Sequence, residues 1–219
     1  MLRNLLIYDL DGTLVDTART VCQILNEIRA EDGLDALDIS SLTPWLSLGG
    51  EDLVRYALGI EAVAVPEKLS LFRNRYAIRP TDPCSVYPEV METLHALRDL
   101  DIQLAICTNK PRHLAEKVLK ETQLDAYFGF IHAGGDLPTR KPHPDNLRSC
   151  LDYFGATPDT ALLIGDSRVD AMMAHDLGVS FILYRPSYND GVESHMMLSS
   201  MDNHLEILPI LNCEENALR

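Results

Sequence analysis

The sequence has few of the features that mark a disulfide-rich or zinc-binding protein. Its five cysteines are odd in number, are scattered over 219 residues and never form a CxxC pair. Its seven histidines include no HExxH or other paired metal-binding spacing. These absences argue against a disulfide framework or a cysteine-based zinc site, and they are typical of a reducing compartment. For Cys107, which lies in an apolar run, we expect a role in core packing.

Positive charge and long apolar runs are also scarce. The 19 Lys and Arg residues are outnumbered by 33 Asp and Glu residues, giving a formal net charge of −14, which disfavours nucleic acid as a partner. No apolar stretch approaches the length of a transmembrane helix, and the amino-terminal one is too short for a signal sequence. We therefore expect a cytoplasmic monomer or homodimer without a membrane partner. An anionic substrate would need a metal ion or a local cationic pocket.

The chain does contain an alternation of short apolar runs and helical patterns. Four apolar runs indicate parallel strands at residues 5–9, 102–107, 161–165 and 180–184. Helical patterns lie at residues 17–31, 51–59, 66–78, 88–100, 111–122, 145–154, 168–176 and 203–211. This alternation predicts an α/β fold, a doubly wound parallel sheet with helices on both faces.

The first two strands are separated by roughly ninety residues, far more than a helical crossover requires. The helical patterns in this interval indicate an insertion that leaves the sheet where the first strand ends. We therefore expect an α/β core domain formed by residues 1–15 and 83–219, and a helical cap domain formed by residues 16–82. A cap rooted at the end of a strand would lie over that end as a lid.

Two acidic residues follow the first predicted strand. Asp9 and Asp11 project to the same side of an extended backbone, and Gly12 then allows a sharp turn. Open α/β sheets bind their ligands at the carboxyl ends of strands. Such a pair can bind Mg²⁺ and divide the roles of nucleophile and acid/base. An ordinary Asp-Gly turn explains the pair equally well when it is considered alone.

Polar residues recur at the later strand ends. Thr108 and Asn109 follow the second strand, where they could bind phosphate oxygens or cap the next helix. Lys141 lies between a turn and a proline, which suits a fixed charge on a phosphoryl group, although an exposed lysine is the simpler explanation. Asp166 ends the third strand, and Asp170 lies one helical turn later. Together these residues favour one site that binds Mg²⁺ and a phosphoryl group.

Four motifs in this order resemble the haloacid dehalogenase-like hydrolase superfamily. They are DLDGT at 9–13, TNK at 108–110, KPHP at 141–144 and GDSRVD at 165–170. The KPHP motif, the Leu48-Gly49-Gly50 turn and the segment Tyr188-Asn189-Asp190-Gly191 look most like its phosphoglycolate phosphatase branch. The resemblance implies a Rossmann-like core with an inserted helical cap.

The resemblance also implies a role for each motif residue. Asp9 would be the nucleophile that forms an aspartyl-phosphate, and Asp11 would be the acid/base, positioned by the hydroxyl group of Thr13. Thr108 and Lys141, with Asn109 beside them, would bind the phosphoryl group. Mg²⁺ would be held by Asp9, Asp166 and the backbone carbonyl of Asp11. Asp170 would support the metal site or orient Lys141. We expect Asp11 to lie beside other acidic groups.

We therefore predict a Mg²⁺-dependent phosphomonoesterase that acts on a small metabolite, with 2-phosphoglycolate as the leading candidate. A nucleotide, a sugar phosphate or pyrophosphate is an alternative substrate, and a sugar phosphomutase is an alternative enzyme. The second acid, Asp11, disfavours a dehalogenase or a phosphonatase. The length of the chain and its cap disfavour a phospho-accepting signalling domain. For the carboxylate of the substrate, the cap offers the Gly49-Gly50 turn, Arg19 and Arg55, although a solvated surface position is the better explanation for each arginine.

Overall fold

A six-stranded parallel sheet is the centre of the fold in the computed structural model, which describes residues 3–188 and 191–216. The strands are β1 (Leu5–Tyr8), β2 (Gln103–Pro111), β3 (Phe130–Gly134), β4 (Ala161–Gly165), β5 (Ser180–Tyr184) and β6 (Ser199–Met201). Their order in the sheet is β3-β2-β1-β4-β5-β6, and each neighbouring pair is parallel. The predicted doubly wound α/β fold is therefore confirmed.

Helices connect the strands and cover both faces of the sheet. They are α1 (Ala18–Glu31), α2 (Ile39–Leu46), α3 (Gly50–Leu58), α4 (Val65–Ile78), α5 (Val90–Asp99), α6 (Arg112–Glu121), α7 (Asp145–Phe154), α8 (Arg168–Leu177) and α9 (Ile207–Asn216). Within the described ranges, no helix is long and apolar enough to cross a membrane.

The central strand β1 is apolar throughout because both of its faces are covered. Leu6 and Tyr8 enter one hydrophobic core, and Leu5 and Ile7 enter the core on the opposite face. β1 pairs with β2 on one side and with β4 on the other, so Leu5 lies opposite both Gln103 and Ala161. The carboxyl ends of these three strands therefore lie side by side at one edge of the sheet.

Helices α1 to α4 lie between β1 and β2, where the sequence predicts an insertion. The two chain segments that enter and leave it run side by side, because Val15 forms an antiparallel bridge with Val86 and the amide of Asp16 donates to the carbonyl of Ser85 over 2.7 Å. We propose on this basis that residues 16–82 form a cap on a core of residues 1–15 and 83–219.

Three elements were not predicted from the sequence. α2 contains Pro44, a residue that ordinarily breaks the interior of a helix. β3 lies at one edge of the sheet and is only partly buried, so it lacks a continuous apolar run. β6, at the other edge, has three residues, of which two are serines. The last helix begins at Ile207, after a short 3₁₀ turn, and not at residue 203.

Candidate active site

Asp9 lies directly after β1, in the middle of the sheet edge. Its amide donates to the carbonyl of Ile164 over 2.9 Å, which continues the pairing of β1 with β4. Its carboxylate lies 2.8 Å from Nζ of Lys141, which also lies 2.7 Å from Asp170. Burial raises the pKa of Asp9 to about 7, although Lys141 lowers it. Burial alone would lower the pKa of Lys141, but Asp170 and Asp9 raise it above its ordinary value.

Asp9 and two other buried acids form a cluster of three carboxyl groups. Ligand oxygens of Asp9, Asp166 and Asp170 all lie within 4.8 Å of one another. The pKa of Asp166 is well above its ordinary value because the group is buried and lies near the other two acids. Ser187 donates to one oxygen of Asp166 over 2.9 Å, and Ser167 donates to Asp170. The cluster thus concentrates negative charge where a cation can be bound.

The carboxylate of Asp11 is hydrogen-bonded to groups outside this cluster. Asp11 follows β1 in a tight turn, in which the amide of Gly12 donates to the carbonyl of Val15. The carboxylate accepts from the hydroxyl of Thr17 over 2.7 Å, and its two oxygens lie 2.9 and 3.1 Å from Nζ of Lys110. Asp11 thus pairs with a cation, and it also lies close enough to Asp9 to raise the pKa of that acid.

Thr13 differs from the expectation. Its hydroxyl group lies 3.4 Å from Asp166, not on Asp11, and its carbonyl oxygen accepts from Nε2 of His204 over 2.9 Å. The turn after β1 directs Thr13 into the protein interior, where it is fully buried. The threonine whose hydroxyl contacts Asp11 is Thr17, immediately before α1.

Thr108 and Asn109 lie within the last part of β2, which extends beyond its predicted end at residue 107, and they have separate tasks. Thr108 is buried and lines the cavity above Asp9, as predicted for a group that contacts a ligand. Asn109 lines the same cavity, but its side chain is bound to the backbone of Lys141. Its Oδ1 accepts from the amide of Lys141 over 2.8 Å, and its Nδ2 donates to the carbonyl of that residue over 3.3 Å. Asn109 therefore holds Lys141 in place.

A cavity of about 80 Å³ joins these residues to the helices between β1 and β2. Its polar floor contains Asp9, Asp11, Thr108, Lys110 and Lys141. Its apolar wall comes from the inserted helices and from the first turn of α6, and includes Val21, Leu46, Leu53, Phe72, Tyr76 and Leu114. The enclosed volume suits a small metabolite.

The segment after β5 closes one side of this cavity. The hydroxyl of Tyr188 accepts from the amide of Ala18 over 3.1 Å, at the start of α1. Gly12, at φ +86°, lies against this segment, and a Cβ there would come within 2.6 Å of Oγ of Ser187 and 2.4 Å of a carboxylate oxygen of Asp166. Asn189 and Asp190, which are part of the resemblance noted above, lie outside the described residues.

The geometry agrees with the comparison to known families. A family model described as haloacid dehalogenase-like hydrolase matches residues 6–184. The chain belongs to the haloacid dehalogenase-like hydrolases. The match begins in β1 and ends with β5, so it includes the whole candidate site apart from Ser187 and Tyr188.

Known relatives place this hydrolase in the phosphoglycolate phosphatase-like branch. It is 33% identical to phosphoglycolate phosphatase 1 of Pseudomonas aeruginosa over 217 residues, which cover 95% of this chain and 79% of the relative. It is 35% identical to a phosphoglycolate phosphatase of Rhodospirillum rubrum over 192 residues, covering 84% and 80%. The crystal structure of a predicted phosphoglycolate phosphatase from Haemophilus somnus superposes with a TM-score of 0.84 at 25% identity, covering 95% and 97%. The expected family and its phosphatase branch are confirmed.

The donor set of the hydrolase suits a divalent metal ion, which members of this family generally use. The cluster of Asp9, Asp166 and Asp170 supplies only carboxylate oxygens, which hard cations prefer. Three ionised carboxyl groups at this spacing repel one another unless a cation offsets their charge. Lys141 supplies one positive charge to this cluster, through Asp9 and Asp170.

Sequence reasoning missed three residues of the site. Lys110 follows the predicted Thr108 and Asn109 directly, and its Nζ lies 4.2 Å from the centre of the Tyr76 ring. Thr17 precedes α1 and had no motif to identify it. Arg73 lines the cavity from α4 and was not among the candidates, which were Arg19 and Arg55. Arg55 pairs instead with Asp52 over 3.4 Å. A motif signal existed for Lys110, but none existed for the other two.

Proposed function

We propose that this hydrolase is a Mg²⁺-dependent phosphatase that converts 2-phosphoglycolate to glycolate and phosphate. One observation carries the proposal. A buried carboxylate, Asp9, stands 2.8 Å from a buried lysine at the floor of a small cavity that Asp11 also lines. A nucleophile, a counter-charge and an acid/base are thus within reach of one phosphoryl group. The names of the relatives support the choice of substrate.

In the first step of the proposed reaction, Asp9 attacks the phosphorus atom and forms an aspartyl-phosphate. Lys141 and Thr108 bind the phosphoryl oxygens, which offsets the repulsion between the carboxylate and the phosphate dianion. Asn109 contributes by fixing the backbone of Lys141 through two hydrogen bonds. Splitting hydrolysis through a covalent intermediate replaces one difficult step with two easier ones.

Asp11 serves both steps as the acid/base. It gives a proton to the departing glycolate oxygen and then takes one from the water that hydrolyses the aspartyl-phosphate. Thr17 and Lys110 hold its carboxylate in the cavity.

Asp9, Asp166 and the backbone carbonyl of Asp11 are the groups proposed to hold Mg²⁺, and Asp170 stands beside them. When bound, the ion neutralises charge on the phosphoryl group. Thr13 and Ser187 orient Asp166 for this role through their hydroxyl groups. Asp170 both pairs with Lys141 and accepts from Ser167, so it connects the metal ligands to the phosphoryl-binding lysine.

We further propose that the enzyme works in the cytoplasm as a monomer or homodimer. The cysteines at positions 22, 84, 107 and 150 are free thiols, which agrees with a reducing compartment.

The test is phosphate release from a panel of substrates with and without EDTA. The panel contains 2-phosphoglycolate, sugar phosphates, nucleotides and pyrophosphate. We expect the highest kcat/KM on 2-phosphoglycolate, loss of activity with EDTA and recovery with Mg²⁺. We also expect Asp9→Asn to lower kcat by about 10⁴-fold or more. Activity that survives EDTA or Asp9→Asn would contradict the mechanism. A better substrate elsewhere in the panel would retain the reaction class and contradict the choice of 2-phosphoglycolate.

A further inference from the structure

The positive charges that line the cavity differ in their partners. Lys141 is paired with Asp9 and Asp170, and Lys110 is paired with Asp11. The third cation of the lining is Arg73 on α4, for which no ion pair or hydrogen bond is found within residues 3–188 and 191–216. Its positive charge is therefore available to a ligand in the cavity.

Arg73 lies beside Gly50, a residue of the lining that has no side chain. A Cβ on Gly50 would lie 3.9 Å from Nη2 of Arg73 and would clash with Leu69 at 2.8 Å. The neighbouring residues of the lining, Leu53 and Phe72, are apolar. A charged group of a substrate on this side of the cavity would therefore meet the guanidinium group and hydrocarbon.

Arg73 also lines a second, larger cavity of about 590 Å³ beside α3 and α4. That cavity is bordered by Glu51 and Asp52, whose carboxyl groups repel anions, by His113, and by Arg55, which already pairs with Asp52 at 3.4 Å. The active-site cavity instead contains Thr108 and Lys141, the groups proposed to bind the phosphoryl group, so a single ligand there can contact both them and Arg73. This arrangement points to the substrate of the active site and not to a separate ligand.

We propose that Arg73 binds the carboxylate of the substrate while Lys141 and Thr108 bind its phosphoryl group. The inference rests on the proposed hydrolysis of a small phosphate ester that carries a carboxylate, such as 2-phosphoglycolate. A guanidinium group presents two parallel donors to a carboxylate, which gives both affinity and orientation. Because both lysines already pair with aspartates, Arg73 is the cation left to pair with the carboxylate of the substrate.

The experiment compares three substrates that differ only near the carboxylate. They are 2-phosphoglycolate, its neutral amide and ethyl phosphate. We expect the unmodified enzyme to prefer the acid over the amide in kcat/KM. Arg73→Met, which keeps the apolar stem, should raise KM for 2-phosphoglycolate by about 10- to 100-fold, the value of a charge-assisted hydrogen-bonded pair. It should change kcat/KM for ethyl phosphate by no more than about twofold.

Two further variants serve as references. Arg73→Lys should recover part of the preference for the acid because it restores the charge without the planar fork. Arg75→Met is the matched control, since Arg75 lies on the same helix but pairs with Glu31 at 2.6 Å outside the cavity. We expect it to leave the kinetics with all three substrates unchanged.

Each contrary result has a distinct meaning. If Arg73→Met keeps the preference for the acid over the amide, the role of Arg73 is wrong and the proposed function stands. If the variant loses activity equally on ethyl phosphate, Arg73 serves the phosphoryl group or the fold, and the inference is also wrong. If the unmodified enzyme treats the acid and the amide alike, no carboxylate is recognised, and both the inference and the choice of 2-phosphoglycolate fail.

Discussion

At the scale of single residues, the structure separates two threonines that sequence reasoning did not. Thr17 donates to Asp11 over 2.7 Å, whereas Thr13 contacts Asp166. Both hydroxyl groups are buried, so neither hydrogen bond is easily replaced by water. The two substitutions should therefore alter different properties of the enzyme.

We expect Thr17→Val to lower kcat by about tenfold with little change in KM, because Asp11 loses one hydrogen bond that holds it in position. The hydroxyl of Thr17 makes no capping bond to α1, so the helix is not weakened directly. Steady-state kinetics with 2-phosphoglycolate measures the effect, and Thr17→Ser should restore kcat. Thr13→Val should instead raise the Mg²⁺ concentration needed for half-maximal activity. An equal effect of both substitutions on Mg²⁺ dependence would contradict these assignments.

If Asp9 holds Mg²⁺ as proposed, its carboxyl group should make metal binding dependent on pH. Its pKa of about 7 means that, without metal, it carries a proton at lower pH, and this proton must leave before the group can bind a cation. We expect the affinity for Mg²⁺ to fall by up to about tenfold for each pH unit below 7. Calorimetric titration with Mg²⁺ at pH 8, 7 and 6, without substrate, measures this dependence. Equal affinities at pH 8 and pH 6 would show that Asp9 does not bind the ion.

At the scale of elements, the strands that are buried on both faces were predicted from the sequence, and the edge strands were not. β1, β4 and β5 were predicted within a residue of their observed bounds because helices cover both faces and enforce continuous apolar runs. The edge strands β3 and β6 are less constrained, and their residues carry no such pattern. The same strand-end argument brought together Asp9, Asp166 and Lys141. Lys110 stands in the TNK motif, but its pairing with Asp11 spans 99 residues of chain and was not predicted, and Thr17, which contacts Asp11 across 6 residues, belongs to no motif.

The short turn before α9 is bound to the turn that follows β1 by a buried histidine, His204. His204 donates to the carbonyl of Thr13 and packs on the ring of Tyr184, with 4.4 Å between ring centres. Burial lowers the pKa of His204 to about 4, although the bond to Thr13 opposes the shift. An unfolded histidine takes up a proton near pH 6.5, so this residue destabilises the fold progressively as pH falls from 6.5 toward 4.

We expect His204 to cost about 2 kcal/mol of unfolding free energy between pH 7.5 and pH 5. His204→Gln should remove that part of the pH dependence, because glutamine can donate to Thr13 without titrating. Urea denaturation at the two pH values measures the difference. His175→Gln, on the exposed side of α8, is the control and should keep the pH dependence of the unmodified protein. An identical pH dependence for His204→Gln would contradict the assignment.

At the scale of the whole molecule, Lys117 links the end of α4 to α6. Lys117 on α6 donates to the carbonyl of Arg79 over 2.6 Å and pairs with Glu121 at 2.7 Å. Glu121 in turn accepts from the amide of Thr81 over 2.8 Å. The chain is thus held at the point where it returns from the proposed cap.

We expect Lys117→Met to lower the unfolding free energy by about 1 to 2 kcal/mol, because the carbonyl of Arg79 loses the ammonium donor and Glu121 keeps only its bond from the amide of Thr81. Lys120→Met, at an exposed position of the same helix, should change it by less than about 0.5 kcal/mol. Urea denaturation of both variants measures the difference. Equal stabilities would show that this connection contributes nothing to the fold.

The whole-molecule arrangement was predictable in outline and not in detail. The long interval between the first two strands predicted an insertion, and the strand ends predicted a site beneath it. What the sequence could not provide is the direction in which each inserted helix faces the site, since that depends on packing between residues far apart in the chain. Arg73 and Tyr76 look from the sequence like ordinary members of a helix, and both line the cavity.

These two residues of α4 lie one helical turn apart, and their proposed roles differ: Tyr76 contacts the lysine that pairs with Asp11, and Arg73 binds the carboxylate of the substrate. Tyr76 packs on Lys110, the partner of Asp11, while Arg73 has no ion pair or hydrogen bond among the described residues. Mutation at position 73 can therefore redirect the enzyme to a new metabolite without disturbing the acid/base, so long as position 76 keeps its ring. A helix of this kind would allow related enzymes to differ in substrate specificity while they keep the same reaction. Directed evolution toward other phosphate esters should start at position 73.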